Sequence, residues 1–407
     1  MSQTCIVIGA SHSAASFVTS LRQDGWTGKI KVIGNEPYIP YHRPPLSKGL
    51  LAGEKSLEDI FIRPVEVYNK ADVEFLLGIS VEEIDTENMK ISCGNNDVLH
   101  YDKLALMVGS RVRRVSMPGD DLNGIYYLRD YNDAQKIQSY IKKGGKAVII
   151  GGGYIGLEAA AVLNKLGMHV TVLEMMSRVL ERVTAPEISE FYTRMHIEEG
   201  VDIQCGVGAT GFEGNENVTR VLCDNNLAFE ADLVIIGIGI VPNIELAQSA
   251  GLKVDNGIVV DQHTITSNPN IVSAGDCTCH YNPIYERWIR LESVQNATDQ
   301  ARVAASNIAG MDKSYVALPW FWSDQYDVKL QIAGLSNGYD EIIIRGDNKN
   351  SRSFAAFYLK DEKVIAVDAI NKPAEFMVGK RLITDKKIVN KEKLSDTNIK
   401  IKELVVS

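Results

Sequence analysis

The chain has 407 residues, 45% of them hydrophobic and 23% charged, with a net charge of −9 at pH 7. That length supports two or three domains with sizeable cores, and the acidic balance excludes a general affinity for nucleic acid. No apolar run reaches membrane-spanning length and the amino terminus runs at once into a strand, so a cytoplasmic protein with no membrane attachment is expected.

Cys5 to Ile8 reads as a buried strand, Gly9 as a turn, and Ala14, Phe17, Val18 and Leu21 as the inward stripe of a helix. A second strand, Ile30 to Ile33, ends at Asn35 and Glu36. This is the opening of a dinucleotide-binding unit, with Ser11 and Ala14 where the second and third glycines of the fingerprint stand. Ser11 carries a Cβ, which keeps a pyrophosphate slightly farther off. Ala14 is small enough for helix packing.

The next segment, PYIPYHRPPLSKGLLAG, is stiffened by Pro37, Pro40, Pro44 and Pro45, and Pro45 is expected to open a short helix carrying Leu46 to Leu51. Arg43 and Lys48 then project beside the first nucleotide site, where cations suit a diphosphate and an electron-rich ring. Residues 54–107 read as short strands and hairpins, ending in the strand Lys103 to Val108 and a turn at Gly109. The basic cluster Arg111, Arg113 and Arg114 is expected to be a solvated face. YYLRDYNDAQKI opens a helix.

Val148 to Glu174 repeats the opening design without compromise. An apolar β-branched run is followed by Gly151, Gly153 and Gly156. Ile155, Ala159, Val162, Leu163 and Leu166 then recur at helical spacing, and a strand from His169 to Leu173 ends at Glu174. The glycines turn the chain, admit a pyrophosphate and bring the helix onto the sheet. The acid at the strand end accepts ribose hydroxyls and repels a 2′-phosphate, which favours NADH over NADPH. The strand Leu233 to Ile236 leads to Gly237 and Gly239, which lie near the nucleotide, and Pro242 stops it.

After Gly257 to Asp261, a strand from Asn270 to Ala274 places Asp276 at its carboxyl end. There Asp276 either holds a ribityl hydroxyl or caps a helix. Residues 292–309 form a helix closed by Gly310, with Glu292 and Ser293 at its amino end; the positive end of its dipole suits an anionic reduced ring. From Leu318 the pattern becomes antiparallel strands (Glu341 to Arg345, Ser353 to Leu359, Lys363 to Ile370) and a helix near Ala374 to Leu382. Trp320, Phe321 and Trp322 cannot all be core, because neighbours on a strand face opposite ways. The Lys-rich tail after Thr384 is expected to lie on the surface. Cys5, Cys93, Cys205, Cys223, Cys277 and Cys279 show neither paired metal-ligand spacing nor a disulfide framework. No metal site is expected, and Cys277 with Cys279 is the one pair to watch.

The fold class expected is therefore α/β, two Rossmann-like dinucleotide-binding domains with a carboxy-terminal α+β domain. Residues 1–114 and 244–317 form the first, 115–243 the second and 318–407 the last. Two dinucleotides in one chain point to a tightly held flavin, FAD, and an exchangeable nicotinamide, NADH.

The motifs Gly9 to Ala14, PYHRPPLSK, YLRD, GGGYIGLE, TSNPNIVSAGD, LESVQNA and PWFWSDQYD occur in the order found in FAD-dependent NADH:ferredoxin reductases of bacterial oxygenase systems. The chain resembles that putidaredoxin-reductase-like group along essentially its whole length. The resemblance implies an FAD domain split around an NADH domain. It implies FAD contacts from Ser13, Glu36, Arg43, Lys48, Val81, Arg129, Asp276, Val294 and Trp322, beside Gly9, Ser11 and Ala14 of the first turn, Asn35 after the second strand and Gly109. Gly151, Gly153, Tyr154, Ile155, Gly156, Glu174, Gly237 and Gly239 are expected on NADH, Tyr154 covering the nicotinamide pocket. Lys48, Glu158 and Trp322 are the expected catalytic residues, Glu158 pairing with Lys48. Val108 stands where the group usually has threonine. The implied activity passes electrons from NADH through FAD to a 2Fe-2S ferredoxin that supplies a haem monooxygenase or Rieske dioxygenase. Arg111, Arg113, Arg114, Arg287 and Arg290 are candidates for docking that acidic partner. The alternatives are a disulfide, peroxide or oxygen reductase, disfavoured by the lack of cysteine between Cys5 and Cys93, and an NADH-sensing flavoprotein.

Overall fold

The structure is a computed structural model that describes residues 3–224 and 226–405. The chain divides into two compact units, one of residues 1–42, 57–111 and 240–319, the other of 43–56, 112–239 and 320–407. Among the described residues no helix is long and apolar enough to cross a membrane.

The first unit is built on five parallel strands in the spatial order Ile271–Ser273, Lys103–Leu106, Thr4–Ile8, Lys29–Gly34, Val73–Leu77. A parallel sheet is covered on both faces, so its central strand is apolar from Cys5 to Ile8, and those four residues are all buried. The helices His12–Gln23 and Val294–Ile308 share one core with that sheet. Ala14, Phe17, Val18 and Leu21 of the first meet Ala301, Ala304 and Ala305 of the second.

The second unit repeats the plan with five parallel strands in the order Asp202–Cys205, His169–Glu174, Lys146–Ile150, Leu233–Ile236, Ile125–Tyr127. The helix Tyr154–Lys165 follows the central strand. The same unit contains a five-stranded antiparallel sheet ordered Trp320–Gln325, Val328–Gly334, Lys363–Ile370, Phe354–Lys360, Glu341–Gly346. The helix Pro373–Asp385 lies so close to this sheet that a Cβ on Gly379 would come within 2.4 Å of Val367 Cγ1.

The changes of unit fall at 111/112, 239/240 and 319/320, against the expected domain changes at 114/115, 243/244 and 317/318. The segment 43–56, expected with the first sheet, groups with the second unit, where Leu51 joins the core. Two local expectations are corrected. Pro44–Ser47 is a short 3-10 helix followed by turns, not a helix through Leu51, because the backbone leaves the helical region at Lys48 (φ −134°, ψ −118°). The tail after Thr384 is not simply surface, since Leu394 and Ile401 are buried. The buried guanidinium of Arg345 donates to the carbonyls of Leu394 (3.1 Å), Asp396 (2.5 Å) and Ile399 (2.5 Å) and faces Glu375. One buried cation thus organises three carbonyls that a polar sequence gives no hint of.

Candidate functional site

In the second unit the loop after Lys146–Ile150 forms a cradle. Gly151 has φ +110° and its N–H donates to the Leu173 carbonyl at 2.8 Å, while an added Cβ would strike the Gly237 carbonyl. That backbone is open only to glycine. At Gly156 a Cβ would meet the Gly151 carbonyl oxygen at 2.2 Å, so the helix sits on the turn itself. At Gly153 a Cβ would meet nothing within 4 Å: the space lies open in front of the helix start. No side chain caps that helix and no acid lies in its first turn, which leaves N–H groups for a phosphate. Glu174 ends the next strand, accepting from the N–H of Gly152 (2.7 Å) and of Met176 (2.8 Å). Each carboxylate oxygen keeps a lone pair for a ribose hydroxyl. These residues fit an adenine dinucleotide. Ile155 and Gly239 are exposed at the rim, and Gly239 has φ +103°.

The first unit has the matching turn. Gly9 has φ +109° and donates to the Ile33 carbonyl at 2.8 Å. Ser11 is the N-cap of His12–Gln23 but makes no side-chain cap bond, and the first turn holds no acid. Ser13 and Ala14 are buried on that helix, Asn35 is exposed, and Glu36 accepts from the hydroxyl of buried Tyr41. Asp276 follows the strand Ile271–Ser273 and accepts from Ser110 Oγ at 2.9 Å, just beyond Gly109. Val81 and Val294 are half-buried, Val294 beginning its helix behind the N-cap Ser293.

A buried carboxylate lies behind the second cradle. Glu158 is 3% exposed, and its Oε2 accepts from Lys48 Nζ (2.5 Å) and Ser47 Oγ (2.6 Å). Its Oε1 accepts from Ser323 Oγ at 2.6 Å. The expected Lys48–Glu158 pair is thus present, with two hydroxyl donors the sequence reading missed. Both serines lie inside motifs already noted, but nothing local says that they share one acceptor. Arg43 Nη1 donates to the Arg129 carbonyl at 3.0 Å, tying PYHRPPLSK to YLRD.

Strand Trp320–Gln325 alternates as expected. Trp320 and Trp322 lie together with ring centroids 5.7 Å apart, while Phe321 turns the other way, edge-on to Tyr154 at 5.1 Å. None of the three is fully buried. The Tyr154 hydroxyl points inward and has no partner among the described residues, and burial holds its pKa well above the usual tyrosine value. The residue as a whole is half-buried.

Near this hydroxyl the carboxyl of Asp368 is buried, accepting from Thr184 Oγ1 and Tyr358 OH at 2.6 Å each. Burial pushes its pKa up from 3.8 to about 6, against the opposing pull of those two bonds. An acid whose folded pKa is raised favours the native state while protonated; that advantage is complete below pH 3.8 and is lost as pH rises to 6. Asp368→Asn should therefore gain stability relative to the parent chain between pH 4 and 7, by roughly 2–3 kcal/mol. Denaturant unfolding at the two pH values checks this, and a pH-independent difference would refute it.

All six thiols are raised in pKa, burial being the largest cause for each, and Cys5 reaches about 12. Cys277 and Cys279 are buried, the first beside the Leu106 and Ala274 carbonyls. They behave as core residues. Of the candidate docking arginines, Arg111 is held by Glu245 and Asn243, and Arg290 by Glu292 and Asn256. Arg114 lies over the Tyr127 ring at 5.0 Å and Arg287 over Tyr285 at 5.8 Å. Arg113 is exposed.

Two dinucleotide cradles followed by an antiparallel carboxy-terminal sheet find close counterparts among known proteins. Putidaredoxin reductase of Pseudomonas putida is 42% identical over 99% of this chain and 96% of its own. The 5,5'-dehydrodivanillate O-demethylase ferredoxin reductase subunit of a Sphingobium species is 39% identical over 99% and 98%. Among solved structures, the covalent putidaredoxin reductase-putidaredoxin complex matches with a TM-score of 0.96 at 42% identity, covering 99% of this chain and 98% of that one. The ferredoxin reductase for the CYP199A2 system of Rhodopseudomonas palustris matches with a TM-score of 0.95 at 36% identity, covering 98% and 99%. Residues 320–405 match the reductase C-terminal family. With residues 3–301 matching the family model, the doubled cradle is accounted for, and the chain belongs to the pyridine nucleotide-disulphide oxidoreductase family.

Proposed function

We propose that this chain is an NADH:ferredoxin oxidoreductase that carries FAD and supplies a 2Fe-2S ferredoxin of an oxygenase system in the cytoplasm. The observation that carries this reading is the doubled cradle in a chain whose six thiols are all raised in pKa, chiefly by burial. The thiolate is the reactive form of cysteine, so no thiol here is prepared for disulfide or peroxide chemistry. The full-length likeness to reductases named for ferredoxins agrees with it.

When bound, FAD supplies the chemistry of accepting a hydride pair and returning electrons one at a time, which a nicotinamide cannot do alone. Gly9, Ser11, Ser13, Ala14, Glu36 and Asp276 hold that cofactor. Gly151, Gly153, Gly156 and Glu174 hold NADH, with Glu174 selecting the unphosphorylated ribose. Lys48 presents an ammonium for the reduced ring, and Glu158 fixes where that ammonium points. Trp322 contributes its indole face.

Glu174→Ala should raise KM for NADH about tenfold, the worth of one charge-assisted hydrogen bond, with kcat little changed. Steady-state kinetics with the ferredoxin as acceptor decides it; an unchanged KM removes Glu174 from the ribose. A yellow protein bleached by NADH without oxygen, then reoxidised by the ferredoxin, is the expected result for the activity itself. Reoxidation by hydrogen peroxide or a disulfide, and by no ferredoxin, would sink it.

A further inference from the structure

The three donors on Glu158 are not the end of its hydrogen bonding. Ser323 Oγ, which gives its proton to Glu158 Oε1 at 2.6 Å, is approached by Gln325 Nε2 at 3.1 Å. Gln325 Oε1 in turn faces His196 Nε2 at 2.8 Å. Ser323, Gln325 and His196 are each 1% exposed or less. They come from two elements, the strand Trp320–Gln325 and the helix Pro186–Glu198, and end on a third, the helix Tyr154–Lys165.

The direction of every bond follows from the carboxylate. An ionised carboxylate only accepts, so the single hydroxyl proton of Ser323 points at Glu158. Ser323 Oγ must then accept from the Gln325 amide nitrogen, which turns Gln325 Oε1 toward His196. His196 must carry its proton on Nε2, leaving Nδ1 bare. Nδ1 is indeed buried with no partner among the described residues. A neutral ring suits the site, where burial lowers the His196 pKa.

We propose that His196, Gln325 and Ser323 are positioning residues, a one-way hydrogen-bonded chain that holds the Glu158 carboxylate, and through it the Lys48 ammonium, in its working geometry. The inference rests on the reading of Lys48 and Glu158 given above. Each bond of the chain fixes the direction of the next, so one break is felt at the far end.

The test uses the FAD-loaded protein with its seven histidines labelled with nitrogen-15. His196 should appear as the pure Nε2–H tautomer. Glu158→Gln, which gives the chain's terminal acceptor a donor of its own, should mix the tautomers at His196. Ser323→Ala should lower the maximal rate of NADH-driven flavin bleaching about tenfold with KM unchanged, the scale of one lost orienting hydrogen bond. Ser323→Thr should restore it. If Ser323→Ala does not fold, as judged by thermal melting, Gln325→Met breaks the same chain and should show the same loss. A His196 tautomer indifferent to Glu158→Gln, or a wild-type rate in the broken chain, overturns the proposal. Lys48→Met separates the two levels: a slow Lys48→Met beside a fast Ser323→Ala removes the chain and keeps Lys48. Wild-type rates in both remove Lys48 as well.

Discussion

Glu158→Ala is expected to lower the unfolding free energy by about 3 kcal/mol, among the larger effects of a single side chain in this protein. The loss comes from what stays behind. Ser323 is buried and would keep a hydroxyl with no acceptor, at about 1 kcal/mol; Ser47 would keep only its long 3.4 Å bond to the Pro44 carbonyl, and the lost Glu158 methylenes would leave a cavity. Lys48 loses its carboxylate partner, but its side chain is 22% exposed, so water recovers much of that interaction. Glu158→Gln, which keeps an oxygen for one hydroxyl, should cost about half as much. Denaturant unfolding followed by tryptophan fluorescence measures both, and a loss below about 1 kcal/mol for the alanine variant would show that the serines find other partners.

Gly156→Val is expected to raise KM for NADH roughly a hundredfold, the penalty of shifting a binding loop by about 1 Å. A Cβ at this position would lie 2.2 Å from the Gly151 carbonyl oxygen and 3.2 Å from Ile149 Cγ2. Backbone cannot rotate aside as a side chain can, so the helix start must move off the turn. The N–H groups proposed to face the pyrophosphate move with it. FAD content should be unchanged, because the flavin cradle is built on the separate sheet around Thr4–Ile8. Nucleotide titration together with the flavin-to-protein absorbance ratio checks both halves; loss of FAD along with NADH binding would count against two independent cradles.

The cradles were legible because their chemistry is local. A turn needing positive φ, a helix touching its strand and an acid at the next strand end all fall within about thirty residues, the span of one βαβ unit. The alternation of Trp320, Phe321 and Trp322 was legible for the same reason. Glu158 was recognisable only by resemblance, since its partners are 111, 110 and 165 residues away in sequence and no periodicity connects them. The folded tail failed for a related reason. Lys and Glu after Thr384 read as solvent-exposed, and the groups that draw this segment in, Arg345 and Glu341, lie on a strand about fifty residues earlier. Packing of the segment 43–56 was hidden likewise, because its prolines announce rigidity but not against what.

The two-residue rhythm of Trp320–Gln325 separates two histories within one strand. Phe321, Ser323 and Gln325 answer to the helices Tyr154–Lys165 and Pro186–Glu198, whereas Trp320 and Trp322 lie on the opposite side, Trp320 against Phe376 of the helix Pro373–Asp385. The two sets thus carry separate contacts, Ser323 and Gln325 the buried hydrogen-bonded chain and Trp320 a ring packed edge-on to Phe376 at 5.9 Å. A single-residue deletion here would exchange the two sets at a stroke, and lineages are expected to vary this strand by replacement and never by length.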